Sequence, residues 1–211
     1  MRPPSQFGED ITNQANNVPD PRMGAMMICT RLAGRAIIRV VGRCNEAQLN
    51  NNLDLSECQL MQVPDAVYHL MRNTELKSCD LSGNDITKIT PKFALKFSLI
   101  TDLNLSHNQI SKLPDEIVDL KNLINLDISY NTFISLPNAI FKIPNLQNLK
   151  AGHNHIIEVE VDDIKEAPSL QILDITNNPI APKCHDCLSS ISTINVLLTP
   201  KEKEDWEDLT I

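Results

Sequence analysis

The chain has 211 residues, 42% hydrophobic and 22% charged but only 4% aromatic, so it should bury a core and that core must be aliphatic. Its formal net charge of −8 is opposite in sign to that of a global nucleic-acid binder, which removes nucleic acid from the expected partners. No apolar run approaches the roughly 18 residues of a membrane span. Glu9, Asp10 and Asp20 stand where a secretory signal would need an apolar stretch, so the six cysteines (Cys29, Cys44, Cys58, Cys79, Cys184 and Cys187) read as mostly free thiols in a reducing, cytoplasmic setting.

Residues 1–23 carry Pro3, Pro4, Pro19 and Pro21 among several Asn and Gln, the composition of a disordered tail. Residues 24–48 read as a helix. Met26, Met27, Leu32, Ala33, Ala36, Ile37, Val40 and Val41 give it an apolar face near the 3.6-residue period. Arg31, Arg35, Arg39 and Arg43 recur every four residues as a basic stripe, with no acid between Arg22 and Arg43. The stripe reads either as the solvated outer face of a cap or as a docking element for a membrane surface, organelle or partner.

From residue 49 to 182 the sequence repeats. Asn84, Asn108, Asn131, Asn154 and Asn178 each have apolar or small residues eight, five and three places before them, as Leu123, Leu126 and Ile128 precede Asn131. An earlier unit fits with Cys58 in the Asn place, and the six anchors are 26, 24, 23, 23 and 24 residues apart. Two places after the anchors come Leu60, Ile86, Ile110, Phe133, Ile156 and Ile180. Val63-Pro64, Leu113-Pro114 and Leu136-Pro137 mark where the chain leaves each strand unit. The L-x-L pair suits a short strand, whose alternate side chains share a face. The anchor amide, able to donate and accept at once, suits a turn that buries backbone groups. No unit buries its apolar face alone, so the units must stack into a solenoid with parallel strands along one side.

Residues 183–200 read as the far cap, with Ile191, Ile194, Val196, Leu197 and Leu198 forming a strand-like cover and Cys184 and Cys187 in a capping loop. Residues 201–211 form an acidic tail of five acids and two lysines around Trp206.

These columns resemble the leucine-rich repeat superfamily, in its short intracellular LxxLP class, from about Gly34 to Pro200 and most closely over residues 53–73 and 88–117. The resemblance implies an α/β solenoid, with a curved parallel sheet on the concave side, short helical or irregular segments on the convex side, and a scaffold or signalling role. It transfers no catalytic or ligand residue.

The strand positions between core residues then define the concave surface. Asp80, Asp127 and Asp174 lie four places before their anchors, and Asp102 lies two before Asn104. His107, Tyr130 and His153 lie one place before theirs, as a His-Tyr-His column. Acids would steer a basic protein partner and a tyrosine would anchor it. Gly152 reads either as a notch beside Tyr130 and His153 or as part of a tolerated weak repeat. An enzyme using His107, Ser129, Tyr130 and Asp127 is the remote alternative, because an open sheet offers no water-excluding pocket. Cys184-His185-Asp186-Cys187 is a single C-x-x-C, short of the four ligands of a structural zinc, so neither metal nor cofactor is expected. The reading is a monomeric, non-enzymatic protein-binding module.

Overall fold

The computed structural model describes residues 21–200, with side chains from Ala36 onward. Of the expected tail over residues 1–23, residues 1–20 lie outside the described residues, as do the acidic tail 201–211 and the side chains of Arg31 and Arg35, whereas residues 21–23 belong to a helix. The chain divides into two units at the Arg35/Ala36 boundary, and every strand belongs to the second.

Helix α1 runs Pro21–Asn50 and is followed by seven three-residue strands. They are β1 Asn52–Asp54, β2 Ser78–Asp80, β3 Asp102–Asn104, β4 Asn125–Asp127, β5 Asn148–Lys150, β6 Ile172–Asp174 and β7 Asn195–Leu197. The strands form one parallel sheet in strict chain order, β1 to β7. Leu53, Cys79, Leu103, Leu126, Leu149, Leu173 and Val196 stand in register at their centres. Those central side chains face the core, and the first and third residues of each strand face outward.

The return segments are short: α2 Asp65–Leu70, α3 Pro91–Lys96, a 3₁₀ turn Asp115–Asp119, α4 Asn138–Phe141, α5 Val161–Glu166 and α6 Pro182–Ser189. Proline starts most of them. Pro64, Pro114 and Pro137 occupy the cap position in extended backbone, and Pro91 and Pro182 open α3 and α6. A fixed φ and a missing N–H cost nothing there. Helices this short are held by packing rather than by propensity. Tyr68 and Phe97 stack at 5.5 Å and Phe97 meets Phe93 edge-on at 5.1 Å, filling the helix side of the early repeats.

One expectation about each end is corrected. Cys184 and Cys187 lie in a helix, α6, rather than in a loop. The Cys184 thiol packs inward against the Val159 backbone, accepting its N–H at 3.4 Å. The strand-like segment becomes β7, a seventh strand beyond the six repeats, whose Leu197 carbonyl accepts the Ile175 N–H. At the other end, the buried stripe of α1 is Val40, Cys44 and Ala47. Ile37 and Val41, expected on the apolar face, are 64% and 37% exposed. With this rotation the Arg43 guanidinium reaches repeat one.

Arg43 also explains the irregular first repeat. In the regular repeats the anchor amide donates to the carbonyl two places before it, as Asn84 does to Ser82 at 3.1 Å. Cys58 has no such donor, and Arg43 Nη1 supplies the bond to Ser56 O instead, with Asp54 Oδ1 at 3.1 Å and Cys58 Sγ at 3.5 Å. Arg39 donates to Glu57 O at 3.1 Å. Two arginines of the stripe are therefore part of the cap, Arg43 half-buried and Arg39 still exposed. Burial pushes the Asp54 carboxyl up. Two hydrogen bonds from Ser56 and the charge of Arg43 outweigh that and hold it below its ordinary 3.8. A depressed carboxyl stabilises the fold above its unfolded value and loses that contribution as pH falls through the folded one. The protection factors of amides over residues 36–50 are therefore expected to fall in acid below about pH 4, before those of β3 and β4. Equal loss of protection in all three would show that Asp54 does not control the cap.

No helix among the described residues is long and apolar enough to cross a membrane.

Candidate functional site

The outward face of the sheet is built from two columns. The third strand residues give Asp54, Asp80, Asn104, Asp127, Lys150, Asp174 and Leu197, and the first give Ser78, Asp102, Asn125, Asn148 and Ile172. A shallow groove runs between them over β2 to β5, floored by Cys79, Leu103 and Leu126.

Asp80, Asp102, Asp127 and Asp174 on this face are half-buried and fixed. Asp80 Oδ1 accepts the Ser82 N–H at 2.8 Å and its hydroxyl at 2.6 Å, and Asp127 treats Ser129 alike at 2.9 and 2.6 Å. Asp174 does the same with Thr176. These D-x-S/T steps close the turn after each strand, a local competition for backbone N–H groups that such residues favour. Asp80 Oδ2 also accepts from Asn104 at 3.1 Å, and Lys150 Nζ stands 3.9 Å from Asp127 Oδ2. In the other column Asp102 accepts from Thr101 and Asn125, and Asn125 Oδ1 accepts from Asn148 at 2.6 Å. The partners of Asp80 and Asp102 are neutral, so the bonds position these carboxylates without cancelling their charge. Asn125 and Asn148 are absent from the sequence-based expectations, although counting six places before each anchor finds them.

His107, Tyr130 and His153 sit past the strand ends, in the turns. The three rings stack in parallel at 4.1 Å, with interplanar angles of 11° and 10°, and Tyr130 is 44% exposed. Their backbone is left-handed, with φ of 54°, 53° and 55°. Glu57, Gly83 and Asn177 share that conformation at the same repeat position. Except at Asn177, whose N–H meets the Thr199 hydroxyl, it turns each N–H onto a carbonyl of the next repeat, as Tyr130 N–H reaches Gly152 O at 3.0 Å. For non-glycine residues this conformation costs about 1–2 kcal/mol, offset by this bond and by the ring stack. Gly152 makes no notch, since a Cβ there would meet Thr176 Oγ1 at 3.1 Å.

The anchors lie behind this face. Asn131 Nδ2 donates to the carbonyls of Leu105, Ile128 and Ser129 at 2.9–3.1 Å while Oδ1 accepts the Ile110 N–H at 2.9 Å. Asn84, Asn108, Asn154 and Asn178 repeat the pattern one turn apart.

No group of three or more His, Cys, Asp or Glu side chains among the described residues is arranged to hold a metal ion. Burial pushes the thiols of Cys44, Cys58 and Cys79 upward, so they stay neutral.

Comparison with known proteins adds to this geometry. A family signature described as "Leucine rich repeat" matches residues 74–133. Leucine-rich repeat-containing protein 20 of Mus musculus is 38% identical over 176 residues, which cover 82% of this chain and 96% of that protein. Its Homo sapiens counterpart is 33% identical over 94 residues, covering 43% and 51%. Among solved structures, a leucine-rich repeat protein of Leptospira interrogans superposes with a TM-score of 0.58 and 31% identity, over 65% of this chain and 34% of that one. TLR13, solved in complex with ssRNA13, superposes with a TM-score of 0.61 and 22% identity over 71% of this chain, and there the likeness is one of fold. The chain spans about a third of the first structure and 21% of the second.

Proposed function

The chain belongs to the leucine-rich repeat family, and from that premise we propose that it is a non-enzymatic adaptor whose acidic sheet face, the concave side of the solenoid, holds a protein partner. Leucine-rich repeat proteins generally mediate protein–protein interaction. The observation that carries the finer reading is the placement of Asp80, Asp102 and Asp127 on three adjacent strands, each fixed by hydrogen bonds within the protein. Such preorganised charge favours a partner with a basic surface and lowers the ordering cost of binding. Tyr130, His107 and His153 form the rim, and Asp174 extends the acidic row toward the far end. Parallel rings open to solvent suit contact rather than catalysis, which needs acid and base to converge on a dry site. The free thiols Cys44, Cys58, Cys79, Cys184 and Cys187 favour a cytoplasmic setting.

The test is capture of partners from lysate by wild type and by the triple variant Asp80→Asn, Asp127→Asn, Tyr130→Ala. Asparagine removes charge but keeps an Oδ1 acceptor for the following serine, as Asn104 does for Ser106 at 3.0 Å. The variant is expected to stay folded by circular dichroism and to lose a discrete partner about tenfold or more. Equal capture by both proteins would sink the assignment to this face.

A further inference from the structure

Where helix α2 ends, the turn that follows it and the last turn of α1 border a cavity of about 440 Å³, lined by Gln48, His69, Leu70, Arg72, Asn73 and Thr74. Gln48 Nε2 donates to Leu70 O at 2.9 Å and so ties the two elements together at the wall. The carbonyls at the end of α2 already have donors. Gln48 meets Leu70 O, and the Met71 N–H meets Val67 O and His69 O. The basic side chains here are therefore not needed to cap the helix. Among the described residues, the side chains of His69, Arg72, Asn73 and Thr74 make no hydrogen bond, and Arg72 has no ion pair although the chain carries a net charge of −8. Arg39 and Arg43, by contrast, both donate to the first repeat. The nearby acids are engaged or face elsewhere. Asp65, one turn before His69 on α2, pairs with Lys92 Nζ, and Glu75 lines a separate groove beside Lys77 and Leu99. No carboxylate among the described residues lines the cavity.

We infer that this cavity receives a phosphate group. Its lining has no carboxylate to hold a metal cation and no phenyl, phenol or indole ring to stack on a base. It has a guanidinium, an imidazole, two amides and a hydroxyl around one apolar wall. Arg72 offers a permanent charge and a fork of N–H groups that matches two phosphate oxygens at once. His69, Asn73 and Thr74 add donors for the remaining oxygens. A lone carboxylate would leave most of this space to water, whereas a phosphate on a carbon chain also meets Leu70. None of the six lining residues belongs to a strand, so the inference does not rest on the sheet face as the partner site.

The experiment titrates the full chain near neutral pH, where a phosphomonoester is largely dianionic. Inorganic phosphate, N-acetyl-O-phosphoserine amide and N-acetyl-aspartate amide are compared at matched ionic strength, and the backbone amide signals of Asn73 and Thr74 are followed by NMR. The two phosphates are expected to shift these signals saturably, and the aspartate compound only weakly and without saturation. Tighter binding of phosphoserine amide supports a phosphate carried on a polypeptide, and tighter binding of inorganic phosphate supports a free one; the phosphate chemistry stands in both cases. Arg72→Gln changes an exposed side chain with no partner, so it should keep the fold and weaken binding about fivefold. Lys112→Gln removes the same charge from an exposed position in a later repeat and should change the affinity by less than about twofold. Absence of a saturable shift, equal responses to phosphate and aspartate, or equal effects of Arg72→Gln and Lys112→Gln overturn the inference. If Arg72→Gln unfolds by circular dichroism, an unchanged affinity in Asn73→Ala overturns it instead.

Discussion

Asn131→Ala is expected to lower the stability of the protein by about 4 kcal/mol and its melting temperature by roughly 10 °C. The amide of Asn131 satisfies three carbonyls and one N–H, all inaccessible or nearly so, and the residue itself is buried. Alanine leaves the Ile110 N–H without a partner and takes one donor from each of the three carbonyls, in a space too tight for easy hydration, and an orphaned buried polar group costs about 1–3 kcal/mol. All three carbonyls have a second donor: Ile128 O accepts from Asn154 (3.0 Å), Leu105 O from Asn108 (3.0 Å) and Ser129 O from the His107 N–H (3.0 Å). That sharing keeps the total below a simple sum over four groups. Asn178→Ala, at a half-buried anchor, should cost about half as much, because water can replace part of the lost bonding. Thermal or urea unfolding of the two variants checks both the size and the order. A loss under about 1 kcal/mol at Asn131 would mean that the ladder contributes little beyond packing.

Arg43→Ala is expected to open the N-terminal cap at a cost of about 2 kcal/mol. Its ion pair with Asp54 is largely solvent-exposed and contributes little by itself. The larger loss is the donor to Ser56 O, for which the first repeat has no substitute, since Cys58 stands where an asparagine would donate. With the guanidinium gone, Val40, Cys44 and Ala47 separate more readily from Leu53 and Cys58. Both thiols are buried in the intact cap, so maleimide labelling of Cys44 and Cys58 reports the opening directly. Local opening made easier by about 2 kcal/mol should raise the labelling rate about 30-fold while the melting of later repeats changes little. An unchanged rate would show that α1 is held by apolar contact alone.

The core columns were legible because the strand period and the repeat period coincide: a leucine every other residue, recurring about every 24, has no other simple explanation. The asparagines were legible because only a side chain that donates and accepts fits a buried turn. The left-handed backbone at His107 and Tyr130 was not. Neither residue favours it, and it is imposed by the hydrogen bond to the next repeat, with only Gly83 and Asn177 hinting at it. The role of Arg43 was hidden for a similar reason. A four-residue arginine spacing gives the same stripe whether it faces solvent or repeat one, and the choice depends on how the helix is rotated against the sheet. Helix α6 carries a visible signal in Pro182, but a lone C-x-x-C beside it does not by itself tell a helix from a loop. Of the candidate site, the acidic column could be placed by counting alone. The hydrogen bonds that tie those acids to Ser82 and Ser129 follow from the same spacing, yet they show only when the turn after the strand is closed.

The strict chain order of the strands has a consequence for how the protein is made. Every sheet partner of a repeat lies in the repeat before it or after it, so a growing chain meets its neighbour as soon as each unit leaves the ribosome. Helix α1 emerges before the repeats and supplies Arg39 and Arg43 to the first turn, offering a surface on which β1 and then β2 can settle. Assembly can therefore keep pace with synthesis, one turn at a time, without waiting for the carboxyl-terminal half.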